Sequence, residues 1–149
     1  MSDINLIYPA IIVQLITLLL FLKSNSHDRY LLFVMIIGQL ILISGESDGE
    51  GESAGEGESV KNVRKIEISH ILYVSTILLG SLYFDEKLNL LFLLLCSIVT
   101  LATRQYYNDC LFLMSNGNYE FEIYKDLPIN YDYLFLTSLM IISYRLLKN

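Results

Sequence analysis

Residues 88–103 read LNLLFLLLCSIVTLAT and contain no charged side chain. Four other runs are similarly apolar, and the five are about 14–17 residues long: Leu6–Leu22, Tyr30–Ser44, Ile71–Phe84, Leu88–Thr103 and Tyr133–Leu147. A spanning helix needs about 20 residues, and the flanking residues extend each run to that length. A soluble chain of 149 residues lacks the polar faces to cover five helices that are apolar all round. The sequence therefore predicts an all-α, multi-pass transmembrane helix bundle of about five spans, with four as the alternative, in a single membrane domain covering residues 1–149.

The composition agrees with a membrane class and excludes others. The chain is 54% hydrophobic and 17% charged, and it carries a net charge of −6. A nucleic-acid-binding domain would show a basic surface, so that class is excluded. Two cysteines are too few for a disulfide-dense secreted scaffold. The expected partners are the lipid bilayer and either a second copy of the chain or another membrane protein, but no nucleic acid.

The acidic excess lies in one low-complexity stretch. Residues 45–59 read GESDGEGESAGEGES and hold six acidic residues and five glycines. Such a stretch cannot bury enough apolar surface to offset the entropy lost on ordering. We therefore predict a disordered acidic Gly/Glu/Ser loop over 45–59 that tethers the second span to the third. A natural expansion and an engineered linker both explain its regular six-residue repeat.

Two further segments lie outside the apolar runs. Residues 60–69, VKNVRKIEIS, place apolar and basic side chains on opposite faces of a helix that can continue into the third span. The other segment, residues 115–130, contains a turn signal at Asn116-Gly117 and ends near Pro128. Between them, residues 119–124 alternate between apolar and acidic side chains as a strand does. We predict an extramembrane loop over 115–130, either a hairpin arm or an irregular loop.

The densest polar cluster follows the fourth run. Arg104, Asn108 and Asp109 lie next to Tyr106-Tyr107, and tyrosine is typical of headgroup depth. Asp132, at the start of the fifth run, is a possible partner for Arg104. Charges at a membrane boundary pair with each other or reach lipid headgroups. The candidate headgroup or polar cluster is therefore Arg104, Asn108, Asp109 and Asp132. Stabilisation of Asp132 by a helix N-terminus is the structural alternative.

Polar side chains and glycines inside the runs suggest how the helices pack. Gln14 and Gln39 should face protein, because their amides need partners at membrane depth. Gly38 and Gly80 each allow one close approach between helices. No catalytic, metal-binding or cofactor-binding motif is present, so no catalytic residue, metal ligand or cofactor is predicted. Cys96 and Cys110 are too far apart on one helix to form a disulfide, and His27 and His70 lack a metal-ligand spacing.

The sequence favours a structural or interaction role for a multi-pass integral membrane protein. One alternative is a transporter or channel subunit, with Gln14, Gln39 and Thr137 lining a cavity. The other is a membrane lipid or thiol enzyme that uses Arg104, Asp109, Cys110 or His70. The basic residues divide five to five between the two sides, so the flanks of the first run decide the orientation. Lys23 and Arg29 follow this run and Asp3 precedes it, which favours an outside N-terminus and a cytosolic C-terminus.

Overall fold

A computed structural model describes residues 6–49, 56–107 and 131–148, and these ranges form five α-helices. The helices are α1 (Ile7–Lys23), α2 (Ser26–Gly49), α3 (Glu56–Tyr83), α4 (Lys87–Tyr107) and α5 (Tyr131–Lys148). Each predicted apolar run lies in one of them. The all-helical fold class is confirmed for the described part of the chain.

The helices form two antiparallel hairpins and a fifth helix. A two-residue turn joins α1 to α2, and a three-residue turn joins α3 to α4. The third helix is central, because it packs against α2, α4 and α5, while α1 packs along α2. Both turns and the end of α5 lie at one end of the bundle, which we call the turn end. The opposite end, where α2 and α4 finish, lies nearer to a small cavity among the helices, and we call it the cavity end.

Small residues allow two of these contacts to be close, as the sequence predicts. A Cβ atom at Gly38 would lie 3.1 Å from Leu72 Cβ on α3. A Cβ atom at Gly80 would lie 2.9 Å from Phe84 Cε2 and 3.0 Å from Leu93 Cδ2 on α4. Any larger residue at either position therefore meets a neighbour at once.

The apolar core draws on all five helices. Its fully buried side chains include Leu32, Ile77, Phe84, Leu93 and Ile142. Hydroxyl groups within the helices donate to the carbonyl four residues earlier, as at Thr17, Thr76, Ser97, Thr100 and Thr137. These bonds satisfy the hydroxyls inside their own helix.

The helices extend into the acidic stretch from both sides, so the predicted tether over 45–59 is too wide. The second helix continues to Gly49, and α3 begins at Glu56. Once a helix is nucleated by its packed part, adding residues costs little, and glutamate has a good helix propensity. The third helix also runs unbroken through residues 60–69, as predicted. Residues 50–55 and the predicted loop at 115–130 lie outside the described residues.

Within the described ranges, three helical segments are long and apolar enough to cross a membrane: Ser26–Gly45, Arg64–Tyr83 and Lys87–Tyr107. The first helix, Ile7–Lys23, is apolar but has only 17 residues. The fifth has 18 residues and carries Asp132 in its first turn and Arg145 and Lys148 in its last.

Candidate functional site

A small cavity lies among the helices towards the cavity end. Its volume is about 150 Å³, and each of the five helices contributes to its wall. The wall is mostly apolar, with Leu6, Val13, Met35, Leu42, Val99 and Phe135 among its side chains. Its polar lining comes from Gln39, Ser69, His70, Tyr73, Thr100, Thr103 and Arg104. The cavity is therefore an apolar space with one permanently charged residue in its wall.

That charged residue pairs with Asp132 across two helices. Arg104 Nε, in the last turn of α4, donates to Asp132 Oδ1 in the first turn of α5 at 2.7 Å. The side chain of Arg104 is 24% exposed and that of Asp132 is 47% exposed. Each charge also has the sign that its helix end favours. The pairing predicted between these two residues is present, whereas their role as a headgroup site stays a prediction.

Of the other residues predicted to act with Arg104, the structure describes only His70, which belongs to the enzyme alternative and not to the predicted cluster. His70 is buried and lines the same cavity as Arg104. Asn108 and Asp109 lie outside the described residues, as does Cys110. The structure therefore brings Arg104 together with Asp132 and places His70 in the same cavity.

Three hydroxyl groups in the cavity wall, those of Tyr73, Thr100 and Thr103, are engaged in structural bonds. Thr100 Oγ1 donates to Cys96 O at 2.8 Å and lies 2.9 Å from Tyr73 Oη. Thr103 Oγ1 donates to Val99 O at 2.9 Å. Tyr73 Oη also lies 3.4 Å from Cys96 O, so the Tyr73 hydroxyl joins α3 to α4 through Thr100 and Cys96. These bonds suit a binding cavity better than a site with an activated nucleophile.

Gln39 faces protein, as the sequence predicts. It is buried, and its Nε2 donates to Thr17 Oγ1 on α1 at 3.3 Å. The Thr17 proton goes to Val13 O at 2.7 Å, so its oxygen can only accept from the amide. Gln39 Oε1 and Gln14 Oε1 are buried and have no hydrogen-bond partner within the described ranges. The side-chain oxygen of Gln14 is therefore buried, as predicted, but within the described ranges it lacks the expected hydrogen-bond partner.

The turn end contains a second polar cluster that the sequence did not predict. Asp28 is fully buried, and its carboxylate accepts the backbone N–H groups of Asp85 at 3.0 Å and Glu86 at 3.1 Å. Asn89 Nδ2 also donates to Asp28 Oδ2 at 2.7 Å and to Ser24 Oγ at 2.8 Å. We call Ser24, Asp28, Asp85, Glu86 and Asn89 the turn cluster. It joins the α1–α2 turn to the α3–α4 turn.

Asn25, which directly precedes the first residue of α2, is the N-cap of that helix. Asn25 Oδ1 accepts the Asp28 N–H at 2.8 Å, which is the usual bond of an N-cap side chain. The Asp28 carboxylate is thereby free to reach the other hairpin. The missed signal was Asn89, an amide inside an apolar run that must find a partner there.

Two residues of the turn cluster, Asp28 and Asp85, lie close to His27, and all three are potential metal ligands. Ligand atoms of His27, Asp28 and Asp85 lie within 4.8 Å of one another. Both Asp28 oxygens already accept N–H groups, and Arg145 Nη2 lies 3.7 Å from Asp85 Oδ1. Arg145 Nη1 also donates to Ser81 O at 2.9 Å. These partners give the cluster a structural role in joining α5 to the two turns.

Comparisons of the chain with protein-family models, with curated proteins and with solved structures return no significant match.

Proposed function

We propose that the chain is a multi-pass integral membrane protein in which all five helices cross the bilayer, and that it acts by assembling with itself or another membrane protein. The observation that supports this most is the position of its apolar side chains. Large aliphatic residues point outwards along the helices, with Leu19 60% exposed and Met140 74% exposed. Asp28 and Asn89 are fully buried instead. A surface of this kind suits a lipid solvent rather than water.

The shorter helices are included because of their neighbours. At about 1.5 Å per residue the first helix is about 25 Å long, a little less than the bilayer core. It packs along α2 and is joined to it by a two-residue turn, so it shares the depth of α2. Local thinning and snorkelling side chains accommodate such a mismatch at modest cost. The charges of α5 lie in its first and last turns, which is where a spanning helix tolerates them.

The polar contacts support a packing role. Buried and half-buried polar side chains in the described part of the chain bond from one helix to another, as in Gln39–Thr17, Arg104–Asp132 and Arg145–Ser81. The transporter alternative needs polar side chains that converge on one path. Thr137 is exposed and donates to Tyr133 O in its own helix, so it does not join Gln39.

Alkaline carbonate extraction of membranes that contain the full chain tests the insertion. We expect the protein to remain with the membrane and to leave it only in detergent. Leu15→Lys, in the middle of the exposed face of α1, should reduce insertion by about 2.5–3.5 kcal/mol. Leu22→Lys is the matched control, because an exposed residue near the helix end can snorkel to the interface. Release of the parent chain by carbonate would contradict the proposal.

Assembly is tested separately by the mass of the protein–detergent particle. Light scattering should give a protein mass above the 17.1 kDa of one chain, or the chain should copurify with another membrane protein after cross-linking. A monomer with no cross-linked partner would contradict the interaction role and leave the insertion intact.

A further inference from the structure

We propose that the cavity and Arg104 together form a binding site for an anionic amphiphile, with an apolar chain segment in the cavity and an oxyanion head on the guanidinium. The inference rests on the proposed membrane insertion, which brings such molecules to the helices.

The dimensions of the cavity fit part of a chain. An apolar cavity of about 150 Å³ is large enough for a benzene-sized molecule, so this one holds a short hydrocarbon segment and not a whole lipid. Its wall offers aliphatic and aromatic side chains from every helix. The remainder of the ligand must therefore leave the cavity.

Arg104 supplies the polar end of the site. A guanidinium has five N–H donors, and the structure uses Nε for Asp132. Among the described residues, Nη1 and Nη2 of Arg104 have no hydrogen-bond acceptor. The bond to Asp132 holds the planar group in place and leaves the outer pair of nitrogens for a bidentate contact with a phosphate or a carboxylate.

The depth of Arg104 matches that of a headgroup. It follows the uncharged residues 88–103 of α4, and Tyr106 and Tyr107 come next on the exposed surface. Exposed tyrosines at a helix end are typical of the membrane interface. An oxyanion at this depth and a chain that points towards the membrane centre match the polarity of the cavity.

The role of the Arg104 charge in binding the anionic head is tested by comparing the variants Arg104→Gln and Lys87→Gln. Lys87 is an exposed cation at the other end of the same helix. The purified full-length protein in neutral detergent is titrated with phosphatidylglycerol, palmitate or phosphatidylcholine, and bound lipid is counted by native mass spectrometry. We expect Arg104→Gln to weaken binding of the anionic probes at least about tenfold, as expected for loss of a charged hydrogen bond. Lys87→Gln should bind like the parent.

The role of the apolar cavity is tested by Ala10→Leu. This change fills the cavity from the buried side of α1 and leaves the Arg104–Asp132 ion pair in place. Ala102→Leu makes the same change at an exposed position of α4. We expect Ala10→Leu to weaken binding of both anionic probes and Ala102→Leu to leave it unchanged. This pair keeps the proposal testable if Arg104→Gln does not fold.

The outcomes separate the ligand sources and the two proposals. Tighter binding of palmitate than of phosphatidylglycerol assigns the carboxylate of a fatty acid, and the reverse assigns a phospholipid phosphate. Equal binding of all three probes, or equal binding by the parent and by both Arg104→Gln and Ala10→Leu, would overturn the site. A chain that carbonate extracts from membranes would overturn the membrane proposal instead.

Discussion

At the scale of single residues, Asp28 is the side chain whose loss should matter most. Asp28→Ala leaves the Asp85 and Glu86 amides and Asn89 Nδ2 without their acceptor inside the protein. We expect a loss of about 3–5 kcal/mol, because three N–H donors lose a charged acceptor at once and each such bond is worth about 1.5–3 kcal/mol. Thermal unfolding of the detergent-solubilised protein measures it.

The control for Asp28 is Asp85→Asn. The Asp85 side chain is 64% exposed and its ion contact with Arg145 is long at 3.7 Å, so the loss should stay below about 1 kcal/mol. Similar melting temperatures for Asp28→Ala and Asp85→Asn would show that the turn cluster does not stabilise the bundle.

Gln39→Leu should cost little, although Gln39 is buried and bonded between two helices. The variant loses the 3.3 Å bond to Thr17, whose hydroxyl keeps Val13 O as its acceptor. It also removes Oε1, which has no hydrogen-bond partner within the described ranges. We expect a loss of about 0.6 kcal/mol, the average for such bonds in membranes. A loss above about 2 kcal/mol, measured by the same thermal unfolding, would indicate a partner for Oε1.

At the scale of helices, the packing of α2 against α3 depends on Gly38. Gly38→Leu places a side chain where Leu72 Cβ already lies 3.1 Å from the position of a Cβ atom. Overpacking of this kind costs about 1–3 kcal/mol and should separate the two helices. Ala102→Leu, at an exposed position, is the matched control. A cysteine cross-link between α2 and α3 that forms equally fast in Gly38→Leu and the parent would contradict this role.

The helices were predictable from the sequence because each corresponds to a nearly continuous apolar run, which can be recognised whatever its neighbours in the fold. The close approach at Gly38 and the burial of Gln39 follow from the same local logic. The turn cluster did not, because Asp28 and Asp85 are 57 residues apart and only the packing of the hairpins brings them together. The tether boundaries differ for another reason: α2 continues to Gly49 and α3 begins at Glu56, within residues that composition alone marks as disordered.

The candidate site was predictable only in part for the same physical reason. Arg104 and Asp132 flank consecutive apolar runs, so their pairing follows once those runs become antiparallel helices. The cavity is lined by residues from all five helices, so it forms only when the helices pack together and cannot be read from any single stretch of sequence. The sequence named His70 as a candidate only in the enzyme alternative, and its place in the wall of the cavity required the packed structure.

At the scale of the whole molecule, the five proposed spans would place the two termini on opposite sides of the membrane. Arg29 donates to the last carbonyls of α1, and Arg145 donates to Ser81 near the end of α3, which holds both cations at the turn end. Lys23, Lys87 and Lys148 lie at the same end. Since positive residues near the first helices dominate orientation, we expect the turn end to face the cytosol.

A full-length chain with an N-terminal epitope and a C-terminal fluorescent protein tests this orientation. In intact cells an external protease should remove the epitope, and the fluorescent protein should remain fluorescent and protected. Lys23→Glu together with Arg29→Glu should shift part of the population to the opposite orientation, because these two charges follow the first helix directly. Lys148→Glu, at the far end of α5, should change the ratio much less. If both termini are protected or both are cleaved in the parent, the number of spans is even and one of α1 and α5 does not cross the bilayer.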